Sequence, residues 1–138
     1  MSAPTPPPES GRPRHPERVA GLFVAVVWAA LVFAVFGVLA VILDRDPVAQ
    51  PVGPYFGLVA ILLALAVVYL GIVVTVPART PWLGALATAA GVYLVILASA
   101  LIVDTSLLLE QAVSPFVLAA ALLALAPPIA CWAYFRSR

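Results

Sequence analysis

The chain has 138 residues, of which 64% are hydrophobic and only 9% are charged, and its formal net charge is +1. Ordinary soluble domains carry about 25% charged residues, so this composition excludes a soluble globular protein and predicts a protein immersed in lipid. A nucleic-acid partner is also excluded, because it requires a concentrated basic face. The length is sufficient for one domain.

The N-terminal segment, residues 1–18, differs from the rest of the chain. It holds six of the fourteen prolines together with serine, glycine, glutamate and arginine, and almost nothing that could be buried. Such a segment cannot offset its ordering entropy, so we predict a disordered, Pro-rich tail. The one histidine, His15, lies here without a second ligand nearby, so no metal site is expected.

Four uncharged runs follow, at residues 19–43, 55–76, 82–103 and 111–135. A bilayer core about 30 Å thick requires about 20 helical residues at 1.5 Å each, so every run can span it, the last as a helix over about 115–135. No run alternates as a transmembrane β-strand does. The first run is too long for a signal peptide and is interpreted as a retained span. The predicted fold is an all-α integral membrane protein, an antiparallel four-transmembrane-helix bundle over residues 19–138.

Short links join the spans, at residues 44–54, 77–81 and 104–110. With four spans, six of the seven arginines fall on the side of both chain termini, and only Arg45 falls on the other side. Since arginine concentrates on the cytoplasmic side of membrane proteins, both termini are predicted to be cytoplasmic. The chain contains no lysine and no asparagine, a bias typical of GC-rich coding. We therefore expect a bacterial cytoplasmic membrane.

Small residues on the spans predict where the helices pack, because close approach replaces the hydrophobic drive between helices in lipid. The second and third spans carry stripes that are expected to meet, and the first span carries a weaker one. The stripes are Gly57, Ala60, Ala64 and Gly71; Gly84, Ala87, Thr88, Gly91 and Ala98; and Ala30, Ala34 and Gly37.

Pro127 and Pro128 predict a break in the fourth helix, because proline has no N–H to donate. The carbonyls of Leu123 and Ala124 lose their usual partners there and need other donors in lipid. Tyr93 of the third span lies at about the same depth, so its hydroxyl is the expected donor to one of these carbonyls. Tyr69 is the second candidate.

Acidic residues collect on the side opposite the termini, at Asp44, Asp46, Asp104 and Glu110. The preferred interpretation of Asp44 and Asp46 is a solvated helix terminus, since Arg45 lies between them and Pro47 follows. The alternative is an external acidic cluster formed by all four carboxylates, which could gather a hard cation with oxygen ligands. No metal or cofactor is assigned.

Transport and catalysis have little support in the spans. In length and span count the chain resembles the small multidrug resistance transporters, whose mechanism uses a glutamate within the first helix, but no predicted span here contains Asp, Glu, Lys, Arg or His. Coupled carriers usually need one. The candidate nucleophiles lack the base that activation requires; they are Thr75, Thr88, Ser99 and Cys131. A single cysteine also excludes an internal disulfide.

The resulting hypothesis is a non-enzymatic accessory or structural subunit of a membrane assembly. Its expected partners are the lipid bilayer and either a larger membrane protein or further copies of the same chain. The alternative hypothesis is a carrier or channel for a small solute or cation, with the acidic cluster as its external gate. A polar cavity that reaches the middle of the bundle favours the carrier, and a solid bundle favours the accessory subunit.

Overall fold

The computed structural model describes residues 16–48, 51–53 and 55–138. Over these residues it is helical, without strands. The helices are α1 (Pro16–Leu43), α2 (Phe56–Thr75), α3 (Pro81–Val103), α4 (Thr105–Ala112), α5 (Pro115–Leu123) and α6 (Ala126–Arg136). Four stretches are long and apolar enough to cross a membrane, namely α1, α2, α3 and the Pro115–Arg136 stretch made of α5 and α6. The predicted all-α membrane fold and its four spans are confirmed.

The first helix begins earlier than predicted. Pro16 is its first residue and Glu17 lies in its first turn. Proline is already set for the first helical position, and an acidic side chain there interacts favourably with the helix dipole. Residues 16–18 therefore belong to α1, which begins at Pro16 rather than at Val19. The rest of that predicted tail, residues 1–15, lies outside the described residues.

The bundle has two chemically different ends. The link between α2 and α3 and the C-terminus form the arginine-rich end, which contains Arg79, Arg136 and Arg138. The ends of α1 and α3 and the start of α4 form the acidic end, which contains Asp44, Asp46 and Asp104. Between them α2 and α3 share the most extensive contact, and α1, α5 and α6 pack around this pair.

Two glycine–threonine pairs bring α2 and α3 together. A Cβ atom on Gly71 would lie 2.9 Å from Thr88 Cβ, and a Cβ atom on Gly84 would lie 2.9 Å from Thr75 Cβ, with the threonine hydroxyl oxygens closer still. Each helix thus presents a glycine and, four residues later, a threonine, and the antiparallel partner presents the same pair in reverse. Because a real Cβ atom cannot approach so closely, this helix spacing requires glycine at both positions.

The predicted meeting of the second and third spans is correct in outline, but not every stripe residue lies at the contact. Ala60 and Ala64 are buried, whereas Gly57, Ala87 and Ala98 are exposed. The weaker stripe of the first span is wrong, because its three residues are all exposed. The buried face of α1 is instead Gly21, Ala25, Trp28 and Val32. A bulky tryptophan supplies this contact, which a search for small residues does not find.

The third predicted link is largely a helix. After α3 ends at Val103, α4 folds back along it and buries Leu107 and Gln111. The Tyr93 hydroxyl donates a hydrogen bond of 2.8 Å to the Ala112 carbonyl at the end of α4. The prediction that Tyr93 bonds the carbonyl of Leu123 or Ala124 is therefore wrong. A carbonyl at the C-terminus of a helix has no intrahelical donor. The Ala112 carbonyl therefore lacks a donor within α4, as the carbonyls of Leu123 and Ala124 were expected to lack one, and it accepts from Tyr93 instead.

Replacing Tyr93 with phenylalanine is expected to loosen α4 without disturbing the four spans. The change removes one hydrogen bond, and such bonds in membrane bundles contribute about 0.6 kcal/mol on average and up to about 1.7 kcal/mol. Hydrogen exchange should accelerate in residues 105–112 and stay unchanged in α2. Equal acceleration in both helices would contradict a local role for Tyr93, and Tyr134→Phe, at an exposed tyrosine, is the matched control.

The break in the fourth span is present where the prolines predict it. Helix α5 ends at Leu123 and α6 begins at Ala126, with Pro127 and Pro128 in its first turn. At the break the Leu125 N–H donates to the Leu122 carbonyl, at 3.2 Å, which is a tighter three-residue turn. Both prolines are buried within the bundle. The fourth span is therefore two short helices stacked end to end.

Candidate functional site

Asp44 ends α1 and takes the backbone conformation that terminates helices. Its φ of 47° is the one positive value among the described non-glycine residues, and the Arg45 N–H donates to the Ala40 carbonyl at 3.2 Å. This six-to-one bond around a left-handed residue is a Schellman motif. Aspartate tolerates the left-handed region better than most residues. The exposed Asp44 carboxylate therefore lies at a helix terminus facing away from the bundle.

Asp104 caps the N-terminus of α4. Its carboxylate accepts 2.6 Å hydrogen bonds from the Ser106 hydroxyl and from the Ser106 backbone N–H. These two bonds lower the pKa of Asp104 below its ordinary value, because both favour the ionised carboxylate. Asp104 is thus occupied in capping the helix that closes the acidic end.

The cap should depend on pH in one direction. Because the pKa of Asp104 is lower in the folded chain, its contribution to stability is complete above the ordinary aspartate value of about 3.9. That contribution is lost as the pH falls through the folded pKa, below this value. The Ser106 amide chemical shift should report a titration with that midpoint, and Asp104→Asn should abolish it while keeping an acceptor. A midpoint at or above the ordinary value would contradict the cap.

The remaining two acids share a small cavity of about 100 Å³ with Arg45. Asp46 comes from the first link and Glu110 from α4, and Pro47 and Phe116 complete part of the lining. No three of the described histidine, cysteine, aspartate and glutamate side chains are grouped so that they could hold a metal ion. The structure therefore brings together Asp46 and Glu110, beside an arginine, and leaves Asp44 and Asp104 in helix-end roles.

A larger cavity of about 620 Å³ lies next to this pocket, inside the half of the bundle nearest the acidic end. It separates α1 from α2 and runs from Ala40 down to Val32 on α1, a depth of about 12 Å at 1.5 Å per residue. Near the other end the same two helices touch, since a Cβ on Gly21 would lie 3.2 Å from Ile72 Cγ2. The two helices therefore diverge towards the acidic end.

The walls of this cavity are held by specific contacts. Phe36 of α1 and Phe116 of α5 meet edge to face, with ring centroids 5.4 Å apart, and both line the cavity. At its outer edge the Gln111 side chain donates to the Pro47 carbonyl at 3.2 Å, which ties α4 to the first link. Among the described lining residues, Gln111 supplies the single polar side chain. The interior is therefore suited to hydrocarbon rather than to an ion or a polar solute.

Two glycines keep the cavity open on its lipid-facing side. Gly37 of α1 and Gly57 of α2 both line it and are both exposed. A Cβ added to either would meet no atom within 4 Å. The exposed side chains of Phe33 and Leu58 border the same opening. A hydrocarbon chain in the surrounding bilayer can therefore reach the interior between α1 and α2.

All four candidate nucleophiles are buried within the bundle. The hydroxyls of Thr88 and Ser99 donate to Gly84 and Val95, one turn earlier in their own helix, at 2.7 and 2.8 Å. Such bonds return the hydroxyl to the backbone. Thr75 Oγ1 is buried with no hydrogen-bond partner among the described residues, and Cys131 is a free, buried thiol. None of the four is placed beside a described carboxylate at this depth, because residues 19–43, 55–76, 82–103 and 115–135 contain no aspartate or glutamate.

The sequence alone does not predict this cavity. Gly37 and Gly57 belong to the predicted packing stripes, where glycine permits helix contact. In the structure they border a gap, where glycine leaves space. The two uses of glycine are identical in sequence and differ only in what faces the residue.

No family model, curated protein or solved structure matches the chain.

Proposed function

We propose that this chain is a non-enzymatic accessory subunit of an assembly in a bacterial cytoplasmic membrane. In this proposal the chain holds one lipid hydrocarbon chain between α1 and α2. The observation that carries the proposal is the cavity of about 620 Å³ at the acidic end, which opens to lipid and is lined by apolar side chains. Ligand cavities in proteins commonly measure about 300–1,000 Å³. Held lipid would brace the two diverging helices and keep the outer half of the bundle in one shape.

The apolar lining of the cavity is suited to a single hydrocarbon chain from the bilayer. A helix from a partner is at least about 10 Å across with its side chains. A fatty-acyl chain is narrower and enters from the bilayer without leaving an apolar medium. The bond from Gln111 to Pro47 leaves the polar part of the lipid outside, near Arg45 and Asp46.

The same features argue against the alternative of a cation or small-solute carrier. A carrier with an acidic gate needs its carboxylates gathered and a polar route inward, and intramembrane ionisable residues usually mark such routes. Here Asp104 serves as a helix cap, Asp44 ends a helix, and the adjoining cavity is apolar. Residues 19–43, 55–76, 82–103 and 115–135 contain no aspartate, glutamate, lysine, arginine or histidine, which likewise supports a role without catalysis.

The proposed orientation places the arginine-rich end and both termini in the cytoplasm. Six of seven arginines lie on that side, and arginine is retained preferentially on the cytoplasmic side. The lipid-holding cavity would then face the outer leaflet. Reporter fusions at each terminus test this placement directly, and a periplasmic position for either terminus would contradict it.

Photo-crosslinking tests the lipid-holding role. The full chain is reconstituted into vesicles of phosphatidylcholine with a diazirine in the middle of one acyl chain, illuminated and analysed by peptide mass spectrometry. Crosslinks should concentrate in residues 32–40 and 56–61, which line the cavity. The double variant Gly37→Leu/Gly57→Leu should lose most of them because it fills the opening. Ala30→Leu adds the same bulk to α1 outside the cavity and should have no effect.

Even labelling of every lipid-facing helix would overturn the role of the cavity.

The accessory part of the proposal has its own test, affinity purification in mild detergent after crosslinking in the membrane. A larger membrane protein recovered in fixed ratio is the expected result, and recovery of only this chain would replace the accessory role with a homo-oligomer. Cation-driven flux through vesicles holding the purified chain alone would favour the carrier.

A further inference from the structure

A second cavity of about 620 Å³ lies at the opposite, arginine-rich end of the bundle, where the α2–α3 link meets α6. Arg79 and Thr80 come from the link, Trp82 and Leu83 from the first turn of α3, and Trp132 and Arg136 from the last turns of α6. All six side chains line it. The Trp132 indole N–H donates to the Ala78 carbonyl at 3.1 Å, which fixes α6 against the link and sets the width of the cavity.

The cavity is electrically positive. It contains two arginines, and neither the link at residues 77–80 nor the segment from Trp132 to the C-terminus contains an acidic residue. The Arg136 guanidinium lies over the Trp132 ring, 4.9 Å from its centre, and both side chains line the cavity. The planar fork of arginine matches the oxygens of a phosphate.

Backbone donors add to this positive field. The Thr80 side chain makes no capping bond at the start of α3, and Pro81 occupies the first turn. The N–H groups of Trp82 and Leu83 therefore have neither a helical acceptor nor a side-chain cap, and both residues line the cavity. Orphan N–H groups at a helix start favour an anion. Here they supplement the two arginines that line the open cavity.

We propose that this cavity binds the phosphodiester of an anionic phospholipid, with Arg79 and Arg136 on its oxygens and Trp82 and Trp132 at the level of the headgroup. Tryptophan favours the boundary between hydrocarbon and water, and Trp82 is 69% exposed. Leu83 and Ile129 complete the lining with apolar side chains, against which the start of the acyl chains packs. The site is independent of the apolar cavity at the acidic end.

The intrinsic fluorescence of the full chain in maltoside micelles tests the proposal, because two of the three tryptophans line this cavity. Titration with dioleoyl-phosphatidylglycerol should give a saturable change. Each arginine near an anionic headgroup contributes about fivefold in affinity, so Arg79→Gln and Arg136→Gln should each weaken binding about fivefold and the double variant about 30-fold. Native mass spectrometry should show one bound phosphatidylglycerol per chain.

The matched control is Arg138→Gln, which removes the same charge from the same end outside the cavity. It should leave the affinity unchanged, and Arg79→Lys/Arg136→Lys should recover part of it. The proposal is overturned if Arg138→Gln weakens binding as much as Arg79→Gln, or if dioleoyl-phosphatidylcholine binds as tightly as phosphatidylglycerol. It is also overturned if inorganic phosphate produces the same saturable change, because the ligand is then the free anion rather than a lipid.

Discussion

Replacing Gly71 with alanine is expected to destabilise the bundle by about 1–3 kcal/mol, the usual cost of forcing extra atoms into a packed contact. The new Cβ would lie 2.8 Å from Thr88 Cγ2 and 2.9 Å from Thr88 Cβ. Neither atom can move away, since a β-branched side chain has little rotational freedom in a helix. The two helices must separate, which weakens the most extensive contact in the bundle. Gly84→Ala should behave alike, through Thr75.

The sign of this prediction is informative because alanine alone favours a helix by up to about 1 kcal/mol over glycine. Gly57→Ala, whose Cβ would meet nothing within 4 Å, should therefore be neutral or slightly stabilising, and it is the matched control. Unfolding in mixed detergent and dodecyl sulfate micelles measures both. Adding Thr88→Ala to Gly71→Ala should restore part of the loss, with a coupling above about 0.5 kcal/mol. Additive effects of the two changes would contradict the direct contact.

Trp28→Ala is expected to cost about 3 kcal/mol, the lower end of the range for large aromatic side chains in cores. Trp28 is 2% exposed and lies in the central apolar cluster with Val68 and Ala124. In lipid the transfer from water contributes little to helix association. The cost therefore comes mainly from lost dispersion contacts around the void that is left.

Trp28→Phe should be far milder. The indole N–H of Trp28 has no hydrogen-bond partner among the described residues, so phenylalanine removes an unpaired polar group along with part of the ring. An unpaired buried donor costs about 1–3 kcal/mol, which offsets most of the lost packing. Trp82→Ala, at an exposed interfacial site, is the control and should barely change the free energy of unfolding. A cost for Trp28→Phe equal to that of Trp28→Ala would indicate that the N–H is paired.

Several elements could be predicted from the order of residues, because they depend only on the length of an apolar run or on the position of a residue in the chain. The lengths of the four apolar runs predicted the spans to within three residues at each end, since the bilayer thickness selects helix length. Pro127 and Pro128 predicted the break between α5 and α6, since proline removes a donor wherever it stands. The division between an arginine-rich end and an acidic end follows from span count and residue order.

Other features depended on how the helices are rotated and paired. Gly71 and Gly84 face Thr88 and Thr75, of which only Thr88 belongs to a predicted packing stripe. Helix α1 packs through Trp28 rather than through Ala30 and Ala34, and Tyr93 bonds Ala112 rather than the broken helix. Both cavities also arise between elements distant in the chain. The sequence by itself determined that four helices are long and apolar enough to cross the lipid, because spanning a bilayer requires only a sufficient length of apolar helix. The tertiary structure decided which faces meet and which gaps remain, because spans that are apolar all round carry no marked inner face.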